Sequence, residues 1–357
     1  MLERFKQSAK LICLVLFILT LSACWDNKDI NHRVLPVILG ISKKSNNYMV
    51  YLQIPQPYQD TMKTKVVIGE GKTITHAIDN ISTNMESSVD LLHLKVIVID
   101  RELAEKGMKD IISGFVRSRD VSPKTLVAIS EDDIGTFFSK MKESSEPGGT
   151  ALLDYFEKSA GWTPQIALTS VWKTYRSFHT TTQDVAIPIL RVGKTTLIEI
   201  NGAAVIKNGK MIDQITPDET LLFNAFNDES TTGKVEITDD GSVLILTNTM
   251  KHDSKFRNHR PYLESKINLK VSILEIKDHV SANSIRKDME KVLTERFNKM
   301  FTKLQENESD ILGLGQFFRN KLSRNELNHW RTKYYPNLTL DFKVHVVVQN
   351  GGNLVTQ

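Results

Sequence analysis

Residues 34–54 read VLPVILGISKKSNNYMVYLQI, in which two apolar runs, Val34 to Ser42 and Tyr48 to Ile54, flank the polar stretch Lys43 to Asn47. A loop of that length joins antiparallel neighbours, so the body of the chain opens with a β-hairpin. Beyond the hairpin the chain alternates between strand and helix. Val66 to Ile68 leads through Gly69 and Gly71 to Thr73, a plausible N-cap, behind which Ile74, Ala77, Ile78, Ile81 and Met85 recur at helical spacing. Leu94 to Ile99 (LKVIVI) reads as a strand, Asp100 as the cap of a helix running to about Arg117, Leu126 to Ile129 as a strand, and Asp132 to Met141 as a helix. Alternation entered through a hairpin predicts a mixed sheet with helices on its faces rather than a purely parallel one.

Beyond this unit, Ser144 to Thr150 (SSEPGGT) and Arg176 to Gln183 (RSFHTTTQ) read as loops or breaks. Strands are expected at Leu197 to Ile200, Gly202 to Lys207 and Lys210 to Asp213, with Asn208-Gly209 as a type I′ turn between the last two. Pro217 to Phe226 reads as a helix entered through Thr216 or Asp218. Val235 to Ile237 pairs with Val243 to Asn248 across Asp239-Asp240-Gly241, and Lys266 to Ile276 alternates polar with apolar as a half-buried strand. From Ser284 the apolar residues Ile285, Met289, Val292, Leu293, Phe297, Met300, Phe301 and Leu304 make the clearest amphipathic helix of the chain. Its opposite face mixes Lys, Arg, Glu and Asp, which favours a domain core over a membrane surface as its partner. Leu338 to Val348 is a closing strand.

Of the 357 residues, 46 are Lys or Arg and 42 are Asp or Glu, a formal charge of +4 with both signs mixed along the chain. That pattern does not favour nucleic acid as a partner. Length and apolar content suit two or three cores. The two cysteines are Cys13 and Cys24, so the body has no internal disulfide, cysteine-based zinc site or cysteine nucleophile.

The basic opening Arg4, Lys6 and Lys10, the apolar run Leu11 to Leu21, and the small residues Ser22 and Ala23 before Cys24 have the order of an export signal spanning residues 1–23. The run is too short to span a bilayer. Leu21-Ser22-Ala23-Cys24 resembles a bacterial lipobox, with cleavage after Ala23 and a diacylglyceryl group on the Cys24 sulfur, whose thiolate is the nucleophile; an N-acyl chain on the new terminus is also expected. Two or more acyl chains hold stably where one holds weakly. A buried cysteine ending an uncleaved helix is the alternative.

No catalytic constellation stands out. Gly69-Glu70-Gly71-Lys72-Thr73 sits where a phosphate loop would, but Val66 occupies the position that needs the first glycine. The nine histidines include no H-E-x-x-H, and no serine lies in G-x-S-x-G. His93, between Leu92 and Leu94, reads as a half-buried histidine at a strand entry. Asp310-Ile311-Leu312-Gly313-Leu314-Gly315 allows a ligand loop, although a turn closing the long helix is the simpler reading. No catalytic residue, metal ligand or resident cofactor is expected.

Taken in order, several of these stretches resemble the C-subunit lipoproteins of bacterial spore germinant receptors, the Ger(x)C family. They are Cys24-Trp25-Asp26-Asn27-Lys28-Asp29-Ile30, then Leu92-His93-Leu94-Lys95-Val96-Ile97-Val98-Ile99, then Glu102-Leu103-Ala104 with Gly107, then Phe115-Val116-Arg117. Asn201-Gly202-Ala203-Ala204-Val205 with Lys207 and Glu219-Thr220 continues the likeness, Ile206 replacing the usual phenylalanine. Asp310, Gly313 and Gly315, followed by Phe318-Arg319 and Trp330, match a D-x-x-G-x-G pattern closed by a tryptophan, with Leu314 where an aromatic residue is common.

The resemblance implies an α+β protein of three mixed α/β domains, each a largely antiparallel or mixed sheet with packed helices. The expected units are 24–190, a small middle domain 191–255, and 256–357 with the long helix. It further implies a non-enzymatic, lipid-anchored subunit on the outer face of the spore inner membrane, working with integral-membrane A and B subunits. Trp25, Asp26, His93, Gly202, Glu219, Asp310, Gly313, Gly315 and Trp330 are its candidate shape or partner positions. A solute-binding lipoprotein of a transporter and a cell-surface hydrolase are the alternatives from other classes.

Overall fold

The computed structural model describes residues 32–58, 61–143, 164–229, 231–233, 235–238, 241–277 and 280–350, with isolated residues at 3, 4, 6, 7, 10 and 156. The expected signal peptide cut and tether, including Ala23, Cys24, Trp25 and Asp26, and the expected loop 144–150 lie outside the described residues.

The elements are, in chain order, β1 (Arg33–Val34), β2 (Ile38–Lys44), β3 (Asn47–Tyr58), β4 (Thr61–Gly71), α1 (Ile74–Thr83), β5 (Ser88–Val89), β6 (Val96–Asp100), α2 (Arg101–Lys106) and α3 (Lys109–Arg117). After these come β7 (Leu126–Ser130), α4 (Ile134–Glu143), α5 (Val171–Phe178), β8 (Val185–Val192), β9 (Ile198–Lys207), β10 (Lys210–Ile215) and α6 (Pro217–Phe226). The chain closes with β11 (Val235–Thr238), β12 (Gly241–Arg257), β13 (Arg260–Ile276), α7 (Ala282–Glu306), α8 (Arg324–Asn328) and β14 (Thr339–Asn350).

Most strands join one of two sheets. The first has eight strands in the order β10-β9-β8-β7-β6-β2-β3-β4, with parallel pairing through β2, β6, β7 and β8 and antiparallel pairing at both wings. The second runs β11-β12-β13-β14, antiparallel except that β14 lies parallel to β13. β1 and β5 form a separate parallel pair. The class is α+β with mixed and antiparallel sheets, as the opening hairpin predicts.

The central strand β6 explains the layering. Ile97 and Ile99 point into a core shared with α1, α2 and α3, while Val96 and Val98 point into one shared with Ile134, Phe137 and Phe138 of α4. A strand buried on both faces has no reason to alternate with polar residues, hence the continuous VIVI. The third core lies between the sheets. Ala186, Ala203, Val205 and Ile215 of the first sheet and Val243, Val271 and Val346 of the second meet α6 and the stripe of α7 there. Seven of the eight stripe residues of α7 are buried; Val292 is exposed.

The structure departs from the sequence expectations at several places, one being that the two strands expected at Leu197 to Ile200 and Gly202 to Lys207 are the single strand β9. The helix expected from Asp100 to Arg117 is two, because Gly107 turns out of α2 at φ 132° and the Met108 N–H bonds Gly209 O instead of continuing the helix. The break expected at Arg176 to Gln183 begins later, since Arg176 to Phe178 form the last turn of α5. Strand β8 was not expected, because Pro188 interrupts its apolar run; the strand tolerates it by pairing with β7 from Ile189 onward and by a register irregularity with β9 between Pro188 and Leu190. Finally, the expected boundary at 190/191 falls inside β8, and that at 255/256 inside β12. Segment 191–255 supplies β9 and β10 to one sheet and β11 and most of β12 to the other, so no break in either sheet coincides with its ends.

Phe297 anchors the inter-sheet core: its ring stacks on Phe342 with centroids 3.7 Å apart and on Phe226 at 5.5 Å. It is fully buried. Replacing it by alanine should destabilise the protein by about 3–5 kcal/mol, the range for truncating a buried aromatic. Urea unfolding followed by tryptophan fluorescence would read this as a lower midpoint; a shift under about 1 kcal/mol would mean the two sheets do not depend on this contact.

Candidate functional site

Four of the sequence-derived positions converge in the seam between the sheets. After α7 the chain turns back, and Asp310 enters the core with its carboxylate accepting three hydrogen bonds. Its Oδ1 accepts from the Leu314 N–H at 2.7 Å, and its Oδ2 from the Gly315 N–H at 2.9 Å and the Trp330 indole Nε1–H at 2.8 Å. Gly313 stands at φ 66°, in the left-handed region. A Cβ on Gly315 would lie 2.7 Å from Thr182 Cβ and 2.8 Å from Trp330 Nε1, so only glycine admits this closure. The turn reading of the D-x-x-G-x-G stretch therefore describes its geometry.

The same aspartate reaches across to the first sheet. Asp184, just ahead of β8, donates its N–H to Asp310 O at 2.8 Å, and its Oδ2 accepts the Asp310 N–H at 2.9 Å. Its Oδ1 accepts from Arg331 Nη2 at 2.6 Å, and the same nitrogen donates to Thr180 O at 3.0 Å and Gln183 O at 3.3 Å. Gln316 Nε2 donates to Thr182 Oγ1 at 2.6 Å, and the Tyr335 hydroxyl to Ser309 O at 2.9 Å. Sequence reasoning missed Asp184 and Arg331. The available signals were an aspartate directly before the apolar run VAIPIL and an arginine directly after Trp330.

Burial sets the electrostatics. Desolvation pushes the Asp310 carboxyl up to about 7, against the hydrogen bonds from Gly315, Leu314 and Trp330, and the nearby Asp184 charge adds to the rise. Asp184 is raised too, by burial, with the Arg331 guanidinium opposing. Burial holds the Tyr335 phenol well above its ordinary value. Asp310 is fully enclosed, so its protonation affects the fold and cannot meet a solute directly. Among the described residues no three His, Cys, Asp or Glu side chains gather to hold a metal.

The other candidate positions lie elsewhere. Gly202 lets β9 turn at φ 74°, where a Cβ would sit 1.9 Å from Ile215 O. Glu219 closes a capping box on α6: its Oε2 accepts the Thr216 N–H at 2.8 Å, and its own N–H reaches Thr216 Oγ1 at 3.2 Å. Both shape the passage from the first sheet to the inter-sheet core. His93, expected half-buried, is exposed in the helical turn Leu91–His93, because Leu91 and Leu94 take the inward places. Near that turn opens a cavity of about 1120 Å³, bordered by Tyr48, Leu92, Asp110, Phe115 and Arg117, with the Arg33–Asp90 ion pair on its wall.

The chain is similar to known proteins over most of its length. Residues 26–192 match the family described as "Spore germination protein N-terminal domain", and residues 201–352 the family "Spore germination B3/ GerAC like, C-terminal". The chain is 25% identical to Spore germination protein A3 of Bacillus subtilis (strain 168), over 96% of this chain and 98% of that one. It is 21% identical to Spore germination protein GerQC of Bacillus cereus, over 76% and 79% of the two chains. The crystal structure of the GerBC protein shares the fold, with a TM-score of 0.59 at 15% identity, covering 87% of this chain and 97% of the other.

The raised Asp310 value makes stability depend on pH in a stated direction. Its folded pKa of about 7 lies above the ordinary 3.8, so its contribution is fully present below about pH 4 and is lost as pH rises through about 7. Across that window wild-type stability should fall, by at most about 1.4 kcal/mol per pH unit from this group. Asp310→Asn should flatten the slope, while Trp330→Phe, which removes a donor to the ionised form, should move the fall to higher pH. Unfolding midpoints measured from pH 4 to pH 8 test this; equal slopes in all three proteins would remove Asp310 as the titrating group.

Proposed function

The chain belongs to the spore germination GerAC-like family, the C subunits of germinant receptors, and from that premise we propose that it is tethered through a lipidated Cys24 to the outer face of the spore inner membrane. There it docks, without catalysing a reaction, on the integral-membrane A and B subunits of a nutrient receptor. The observation that carries this reading is the lipobox Leu21-Ser22-Ala23-Cys24 set directly ahead of the mature body. The acyl chains on Cys24 are the attachment proposed; among the described residues no helix is long and apolar enough to cross a membrane.

Several features support a docking rather than a chemical role. The buried carboxyls Asp184 and Asp310 are committed to backbone, indole and guanidinium donors and lie away from solvent. Gly202, Glu219, Gly313, Gly315 and Trp330 hold turns and packing in place, so we assign them to shape. Trp25 and Asp26, first after the anchor, are placed by sequence to meet the membrane subunits. The germination names of the relatives favour the receptor over a solute-binding lipoprotein.

Purification of the tagged protein from detergent-solubilised spore inner membranes, with mass spectrometry of its N-terminal peptide and of whatever stays bound, tests the proposal. An acylated Cys24 with two co-purifying integral-membrane germination subunits is the expected result. Cys24→Ala should leave the body folded, move the protein out of the membrane fraction and impair nutrient germination. Normal germination by stably produced Cys24→Ala protein would sink the tether, and permease subunits as the bound partners would return the function to solute uptake.

A further inference from the structure

The second sheet buries one face against α6 and α7 and leaves the other open. Along β12, β13 and β14 the open face is mostly polar, with Leu274 and Val347 its large exposed apolar residues, as expected of an antiparallel sheet with one solvated side. The order of its charges is unusual. Asp253 pairs across the strands with Glu264, and Glu264 with Asp341, so three carboxylates lie abreast. Two residues along, Lys251 pairs with Lys266, and Lys266 with Lys343, so three ammonium groups lie abreast. Like charges directly opposite one another destabilise a sheet. A merely solvated surface gains nothing by stacking them three deep in both signs.

Compensation within one copy is partial. Lys343 serves two acids, with Nζ 2.7 Å from Glu264 Oε1 and 3.1 Å from Asp341 Oδ2. Lys255 lies 3.4 Å from Asp253 Oδ2. Lys251 and Lys266 make no ion pair among the described residues, although they stand beside the acid row. Two cations are therefore left over next to acids that share their partners.

The spacing resolves this if a second copy is present. Neighbouring strands lie about 4.8 Å apart and alternate residues about 6.8 Å apart along a strand. A two-fold axis running across the strands, midway between the two rows, would carry each row onto the other. In two copies stacked face to face about that axis, Asp253 would meet Lys251 of the second copy, Glu264 its Lys266, and Asp341 its Lys343. The rows next to these fit as well: Lys255, Tyr262 and Thr339 would face Thr249, Asn268 and His345, with no like charges opposed; one row further out Arg260 would face Lys270, the like-charge contact that the two central rows must outweigh. A uniformly anionic surface such as a lipid headgroup layer would meet the lysine row but be repelled by the acid row beside it.

We propose that this open face is an interaction surface for a second copy of the same chain, an isologous contact held by the exchange of the two charge rows. The contact is electrostatic and weakens with salt. It is independent of the tether at Cys24 and of the partners proposed above.

The test uses the full chain in detergent with micelles in excess over protein, followed by sedimentation velocity and by energy transfer between differently labelled copies. Wild type should self-associate at about 50 mM salt and weaken markedly by about 500 mM. The variant K251E/K266E turns two of the three cations into acids, and D253K/E264K turns two of the three acids into cations; each alone should lose self-association by about tenfold or more. An equimolar mixture of the two should recover it, because each supplies what the other lacks. All positions are on the open face, and unchanged thermal unfolding would verify that the variants fold. Wild type remaining monomeric at low salt, variants associating as wild type does, or a mixture that fails to recover would each overturn the proposal.

Discussion

A carboxylate removed from water must be given donors or be protonated, and the seam of this protein is organised around that demand. Asp310 draws in two backbone N–H groups and the Trp330 indole, and that draws Gly313 and Gly315 into conformations and contacts where a side chain would not fit. Through its own backbone it clasps Asp184 at the entry of β8, and Asp184 in turn fixes Arg331. Removing one partner would leave a buried polar group without its complement, which costs more than the hydrogen bond itself contributes. The two sheets are thus joined by a set of bonds that are satisfied together.

This explains why substitutions at the seam should affect pH response as well as stability. Apolar contacts such as Phe297 on Phe342 contribute in proportion to buried area and have no titrating group. The acid pair adds a term that changes sign of advantage with protonation: below neutrality the buried Asp310 is comfortable, above it the charge is held at a cost. The inter-sheet core supplies the bulk of the attachment, and the aspartates fix how the loop after α7 is seated.

Much of this fold was legible along the chain, because short-range rules wrote it. The hairpin around Lys43 to Asn47, the caps at Thr73 and Thr216, the Asn208-Gly209 turn with both residues at positive φ, and the stripe of α7 all follow from local chemistry. Strand β8 was hidden because Pro188 lowers the strand signal, and its tolerance depends on where a neighbouring strand begins to pair. The break at Gly107 was hidden because apolar spacing can continue across a kink. Asp310 and Trp330 stood out by their pattern, whereas Asp184 and Arg331, 147 residues apart, meet only once both sheets exist.

The two sets of charged groups in this protein answer the same electrostatic problem differently. In the seam every acid oxygen is matched inside the chain, at the price of glycines where a Cβ would clash and a buried tryptophan that donates its indole N–H. On the open face of β12, β13 and β14 the match is incomplete: Lys343 is shared by two carboxylates while Lys251 and Lys266 make no ion pair among the described residues. Charges that are fully compensated within the fold give a partner little to gain. Charges arranged in opposed rows, and left half-matched, can gain from a complementary surface what they lose by facing their own kind across the strands. The buried acids therefore belong to the architecture, and the exposed rows are where association would be selective.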